Sequence, residues 1–467
     1  MKRFGCVGLL TVLLMGLPAV AQKAGRGGIT QASVRAHEEF LASDAMRGRG
    51  SATHDEEVAA TYVATEFMSY GLKPAPGMTG YIQAADIVSS TLDGHATLVS
   101  GKVDLSEGAD FQVLSSSGLS ASGTLKRVTM NEAGKAANVS GTIVLLTAVT
   151  DPRPMMRTAQ ALGKAGAVAV LVAESPATDA VFTSGGGKTR TTIALADGQP
   201  SRARGTIVTL EGAALAQLEA VPDGSRVSLN VHGVDRAEQR KTFNAVGWLP
   251  GTDAGAGTVL LTAHLDHLGV GHPVHGDAIW NGANDDAAGT TAVLELAQAL
   301  AAGPRLRRSV LFVCYGSEEA GELGSTYFGE HPPVPLTSLV ANLEFEMIGN
   351  QDPKMAQGVL LLTGWERSNL GPALKTHGAR LGPDPYPEEH FFERSDNYAL
   401  ALKGVVAHTA AGWGTPPTYH QPDDDLAHLD VPFMTAAIQS LVEPVRWLAS
   451  SMFVPKWNSE GQPQPGH

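Results

Sequence analysis

Seven acidic and imidazole side chains stand at the edges of apolar runs in the second half of this 467-residue chain. They are His264 and Asp266 in AHLDHLG, Asp285 in NGANDDAAG, Glu318 and Glu319 in YGSEEAGELGS, Glu346 in NLEFEMIG and His420 in YHQPDDD. Neighbouring like charges at the end of a buried strand are costly unless cations lie between them, so this order demands a fold that gathers the strand ends at one place. Two imidazoles with several carboxylates make the donor inventory of a zinc site, with enough groups for two ions and a base.

The surrounding pattern supplies such a fold. Beyond Asn244, strand, loop and helix repeat: Val259 to Ala263, a helix from about Ala287 to Ala301, then Ser309 to Tyr315 and Leu339 to Ile348. Nearly every acidic or imidazole residue of the series falls at or just after a strand, which is where open α/β sheets place their ligands. Upstream, residues 30–70 carry two helical patterns; Val58, Tyr62, Val63, Phe67 and Tyr70 recur at helical spacing, and Gly71 stands at a C-cap position. A loop with two arginines, MRGRGSATHDE, joins them. From 108 to 233 the texture changes to short β-like runs around one β-α-β unit: a strand at 141–147, a helix at 155–166 and a strand at 167–173. This stretch has no cluster of ligand type and is not expected to perform the chemistry. Val431 to Met452 reads as a final amphipathic helix, and the polar 454–467 as a disordered tail.

Length alone predicts two domains. Lys2 and Arg3, an apolar run from Phe4 to Leu17 and Ala19-Val20-Ala21 describe a secretory signal peptide over 1–21, shorter than a membrane span. Its removal takes the formal net charge from -13 to -15, because it carries two lysine or arginine residues and no acid. That balance excludes nucleic acid and anionic membrane surfaces as natural partners. Cys6 leaves with the signal, so Cys314, inside an apolar run, has no partner for a disulfide and reads as a small core residue.

Residue by residue, His264 and Asp266 lie two apart on a strand and point the same way, so Asp266 reads as the orienter of the imidazole. Asp285 and Asp286 precede a helix, where free N–H groups favour negative charge, and a carboxylate fixed there can bridge two cations. Glu318 and Glu319 suggest a division of labour: one ligates, the other takes a proton from water. Glu344 and Glu346 are same-face acids in an apolar strand, and His420 would complete a second donor set.

The six motifs AHLDHLG, NGANDDAAG, YGSEEAGELGS, NLEFEMIG, RSDNYAL and YHQPDDD, in this order, resemble the zinc aminopeptidases of peptidase family M28, and the likeness runs from EFLASDAMRGRG through FNAVGWLPG to the last helix. The resemblance implies an α/β zinc exopeptidase fold, with a mixed, mostly parallel sheet and helices on both faces, over 30–107 and 234–453. It also implies a β-rich insert over 108–233 similar to a protease-associated (PA) domain. Two Zn2+ ions per chain are implied, with His264 and Glu346 on one, Glu319 and His420 on the other, and Asp285 on both. Glu318 would then be the general base, acting on a hydroxide between the ions, with Asp266 in the catalytic set. The expected activity is removal of residues from peptide N-termini by a secreted or periplasmic enzyme.

Two positions depart from the family pattern: Glu346 stands where Asp is common, and Asn397 stands where SDH is usual. Rival readings are a carboxypeptidase or dipeptidase, with Arg394, Arg47 or Arg49 clamping the substrate carboxylate, and a non-catalytic receptor-like relative. A one-metal glutaminyl cyclase is disfavoured by the full second donor set. His267, His272, His275, His390 and His408 are set aside as non-ligands.

Overall fold

The computed structural model describes residues 28–464 except 93, 117–119, 134–137, 148–154, 156–157, 160, 164, 175–190, 198–205, 232 and 236–239. The signal peptide expected over 1–21 and parts of the helix expected at 155–166 lie outside the described residues.

The strands expected after Asn244 form at Thr258–His264, Ser309–Tyr315 and Leu339–Glu346. Together with Ala407–Ala411 they make the parallel centre of a ten-stranded sheet. Pairing turns antiparallel on both flanks, where Arg240–Leu249 joins Ser309–Tyr315 and Leu360–Leu362 joins Ala407–Ala411. The fold is mixed α/β. Strand period two sorts the central side chains onto opposite faces. Val259, Leu261 and Ala263 pack with Val310, Phe312 and Cys314 beneath the helices Gln31–Leu41, Ala288–Ala301 and Val431–Ser450. Leu260, Leu311, Val313 and Tyr315 face the other way, toward Phe328 of the helix Leu323–Glu330 and Leu400 of the helix Asn397–Leu402. Cys314 is fully buried, as its apolar setting required, and burial pushes its thiol up.

The second N-terminal helix runs from His54 to Ser69 and stops at Gly71, whose φ of 81° lets the Leu72 N–H turn back to the Phe67 carbonyl. The arginine-bearing loop between the two helices does not merely cross solvent. Arg49 is fully buried and donates to four carbonyls, those of Leu265, Leu41, Asn281 and Gly282.

A second sheet of eight strands takes its chain from Thr97 to Asn230. It begins earlier than residue 108 because Thr97–Ser100 and Val103–Ser106 form a hairpin paired to Arg226–Asn230. The strands Thr142–Thr147 and Ala169–Ala173 pair in parallel, as a β-α-β unit requires. One strand of this stretch, Thr191–Leu195, pairs instead with Ile82–Leu92 of the large sheet, and Leu195 packs against Ala85, Ile87 and Leu323.

Residues 454–464 are placed against the body of the protein rather than disordered. Ser368 and Trp457 form a β-bridge, the Asn458 side chain donates to the Glu366 carbonyl, and Arg367 donates to the Gly461 carbonyl. Among the described residues no helix is long and apolar enough to cross a membrane.

Candidate metal centre

The carboxyl ends of the parallel strands bring the expected residues together in two adjoining groups that share Asp285. His264 ends its strand with the ring buried, and its Nδ1 donates to the Asp266 carbonyl at 3.2 Å. The proton on Nδ1 leaves the Nε2 lone pair free, and Nε2 lies 3.2 Å from Asp285 Oδ1 without making a hydrogen bond. On the other side, His420 Nε2 lies 3.2 Å from Asp285 Oδ2 and 3.2 Å from Glu319 Oε1. Donor atoms of His264, Asp285 and Glu346 form one compact group within 4.8 Å, and those of His267, Asp285 and Glu319 form another. Donors about 2.0–2.2 Å from a common ion in a tetrahedral shell are themselves about 3.3–3.6 Å apart, so imidazole nitrogens and carboxylate oxygens at 3.0–3.2 Å need separate only slightly to share such an ion.

His267, expected to be a non-ligand, joins the second group. Of the other four, His408 is a satisfied core residue, bonded to Ser368 Oγ at 2.7 Å and to the Thr363 carbonyl at 2.8 Å. His275 and His390 are exposed, and the His272 side chain lies outside the described residues.

Electrostatics follows the alternation of rings and acids. Burial alone would raise Asp285, and so would Glu319, but His264, His420 and His267 hold its carboxyl below the usual range. Burial likewise opposes ionisation of Glu319, but His420 and His267 overcome it and keep that carboxyl well below the ordinary value. The Glu318 carboxyl goes the other way: burial pushes it well up, and Glu319, Asp396 and Glu346 reinforce this against the opposing effect of His264. The two adjacent glutamates are therefore unlike, one held as an anion and one avid for a proton.

The Asp266 carboxylate, expected to orient His264, lies 3.7 Å from Nδ1. The ring is fixed by the Asp266 carbonyl, while the carboxylate accepts the backbone N–H groups of Glu318 at 2.9 Å and Glu319 at 3.3 Å and the Ser51 hydroxyl at 2.6 Å. Same-face geometry on a strand could not distinguish carbonyl from carboxylate. Asp286 accepts N–H bonds from His264, Gly289 and Met347. Asp424 accepts from the N–H groups of Asn284 and Asp285, both at 2.9 Å. Glu56, from the second helix, accepts from Ala52, Thr242, Phe243 and Ser317. Ser317, Met347 and His420, each in or beside a site loop, have φ of 54°, 51° and 53°, in the left-handed region that non-glycine residues seldom occupy.

Glu344 is buried beside Glu346 and accepts from Ser395, Thr409 and the Asn397 N–H. Asn397 thus serves the sheet: its side chain bonds Thr409 and the Phe392 carbonyl. Of the three arginines considered as carboxylate clamps, Arg49 is consumed by carbonyls. Arg47 is exposed beside Asp55, and Arg394 lies over the Phe391 ring, 3.6 Å from Glu389.

Residues 244–443 match the sequence profile of peptidase family M28. The chain is 25% identical over 178 residues to aminopeptidase YwaD of Bacillus subtilis, a match covering 37% of this chain and 36% of that protein. It is 26% identical over 241 residues to a probable leucine aminopeptidase 2 of Aspergillus oryzae, covering 46% of each. It therefore spans less than half the length of these relatives. Among solved structures, an aminopeptidase from Aneurinibacillus sp. strain AM-1 superposes with a TM-score of 0.54 at 17% identity, over 91% of this chain and 96% of that one. BSAP, a zinc aminopeptidase from Bacillus subtilis, gives 0.53 at 18% identity, over the same shares. These two likenesses extend the fold beyond the matched segment, through both sheets. The segment that matches peptidase family M28, residues 244–443, holds every residue of both groups.

Proposed function

We propose that the protein is a secreted di-zinc aminopeptidase. The observation that carries this reading is Asp285, which presents one carboxylate oxygen to His264 Nε2 and the other to His420 Nε2, each at 3.2 Å. His264, Asp285 and Glu346 would hold one ion, and Asp285, Glu319 and His420 the other. When bound, the two ions would polarise the scissile carbonyl and make a water molecule acidic.

The protein's own residues divide the remaining work. Glu318, whose carboxylate burial makes more basic than an exposed one, takes the proton of the attacking water and delivers it to the leaving amine. Asp266 grips the two backbone N–H groups of the Glu318–Glu319 turn and fixes the base relative to the ligand. Glu346 and Glu318 offer negative charge to the substrate's α-ammonium group. The sheet-forming stretch 97–230, which contributes no residue to either group, is read as a PA-like insert outside the chemistry. The segment 1–21 is read as its export signal.

A panel of peptides tests the name. Charge-assisted contacts to a free amine contribute roughly 1.5–3 kcal/mol each, so N-acetylation should cut kcat/KM by about one to two orders of magnitude, while C-terminal amidation should matter little. The opposite pattern would make the enzyme a carboxypeptidase, with Arg394 as the clamp.

A further inference from the structure

His267 is fully buried, and neither ring nitrogen makes a hydrogen bond. An imidazole in that condition has given up water without a replacement partner, which is costly, so the site must offer it something else. Nδ1 lies 3.0 Å from Glu319 Oε1 and 4.0 Å from Asp285 Oδ2. The first distance is short enough for a hydrogen bond, yet the pair is not aligned as one. Two donors converging on a third atom have this relation.

The ring is also locked in place. Its backbone N–H bonds the Arg49 carbonyl, and its edge meets the His420 ring with centroids 5.7 Å apart at 74°. Gly282 lies against it, at a φ of 61°, where an added Cβ would fall 2.4 Å from His267 Cγ.

We infer that His267 is a further donor, through Nδ1, to the group formed by Asp285, Glu319 and His420. The inference rests on the two-ion reading and adds an asymmetry to it. One position then has four protein donors and the other three, His264, Asp285 and Glu346. Four-donor zinc positions are closed and retain their ion, whereas three-donor positions leave room for water or substrate. The four-donor position should fill first and empty last.

The test uses the full mature chain, stripped with a chelator and titrated with Zn2+ or Co2+. Wild-type protein should take up two ions in two phases. His267→Ala should weaken the tighter phase by at least about 10-fold, the lower bound for losing even a group that only supports a ligand, and leave the other phase unchanged. Because Nδ1 is close to Cβ, a cysteine sulfur can reach nearly the same point. His267→Cys loaded with Co2+ should gain an intense near-ultraviolet thiolate-to-cobalt band that the wild type, whose Cys314 is buried in the core, lacks. This band decides the matter even if His267→Ala does not fold. Unchanged affinities in folded His267→Ala, or two cobalt ions without the band in His267→Cys, would overturn the inference alone. A wild-type chain that binds fewer than two ions would instead overturn the two-ion reading beneath it.

Discussion

Asp266→Asn separates two routes by which this residue could serve the site. The carboxylate accepts the Glu318 N–H on Oδ1, and the Ser51 hydroxyl and the Glu319 N–H on Oδ2. An asparagine does best with its carbonyl toward Glu318 and its amide toward Ser51, whose hydroxyl can reverse and accept. The Glu319 N–H then faces a donor. That orphaned group costs about 1–3 kcal/mol, and turning the remaining charge-assisted bond into a neutral one costs about 1 kcal/mol more. Removing a negative charge near buried Glu56 offsets part of this, leaving a net loss of about 2–3 kcal/mol, all of it on the turn carrying Glu318 and Glu319. Urea denaturation of the metal-free variant should show that loss. Ion titration should show affinity falling about 10–100-fold at the group containing Glu319, and kcat should fall because Glu318 is displaced. A variant in which only the ion shared by His264 and Glu346 is weakened would refute the argument. It would return Asp266 to the role of a histidine orienter.

Glu318→Gln should keep both ions and lower kcat by at least about 100-fold; near-normal turnover would place the base elsewhere. Arg49→Met should leave four carbonyls without their donor and cost at least about 4 kcal/mol in a denaturation experiment, and a loss below about 1 kcal/mol would contradict its role as a clasp. Burial raises Glu38 to about 8, against the opposing effects of Thr291 and Arg49. A carboxyl raised on folding contributes stability that is complete below its unfolded value near 4.5 and is lost as pH climbs through 8. Wild-type protein should therefore lose on the order of 4 kcal/mol relative to Glu38→Gln between pH 4.5 and 9; parallel stability curves for the two proteins would exclude this.

The parallel centre of the large sheet was legible because its strands are short apolar runs closed by polar turns, and Ser309–Tyr315 has the bounds its composition dictates. Local texture could not reveal that Thr191–Leu195 leaves its neighbours to pair with Ile82–Leu92, since nothing in five residues of TTIAL encodes a partner a hundred positions away. The docking of residues 454–464 escaped for the same reason: a polar, proline-rich segment reads as disordered until Trp457 finds Ser368 and Asn458 finds Glu366. His267 differs: among five histidines near the motifs no spacing separates a donor from a core ring, and burial of both ring nitrogens is a tertiary fact.

The supports of Asp285 show why a series of ligands in sequence is not yet a site. A carboxylate that is to serve two histidines must have its backbone held, and the brace comes from far along the sequence. The bracket is Asp424, whose two oxygens take the N–H groups of Asn284 and Asp285 from 140 and 139 positions away. Asp424 lies four residues from His420, which stands 3.2 Å from Asp285 Oδ2. One loop thus delivers both the imidazole of the second group and the clamp that aims the shared carboxylate at it. Because Asp285 belongs to both groups, a change in that loop reaches both.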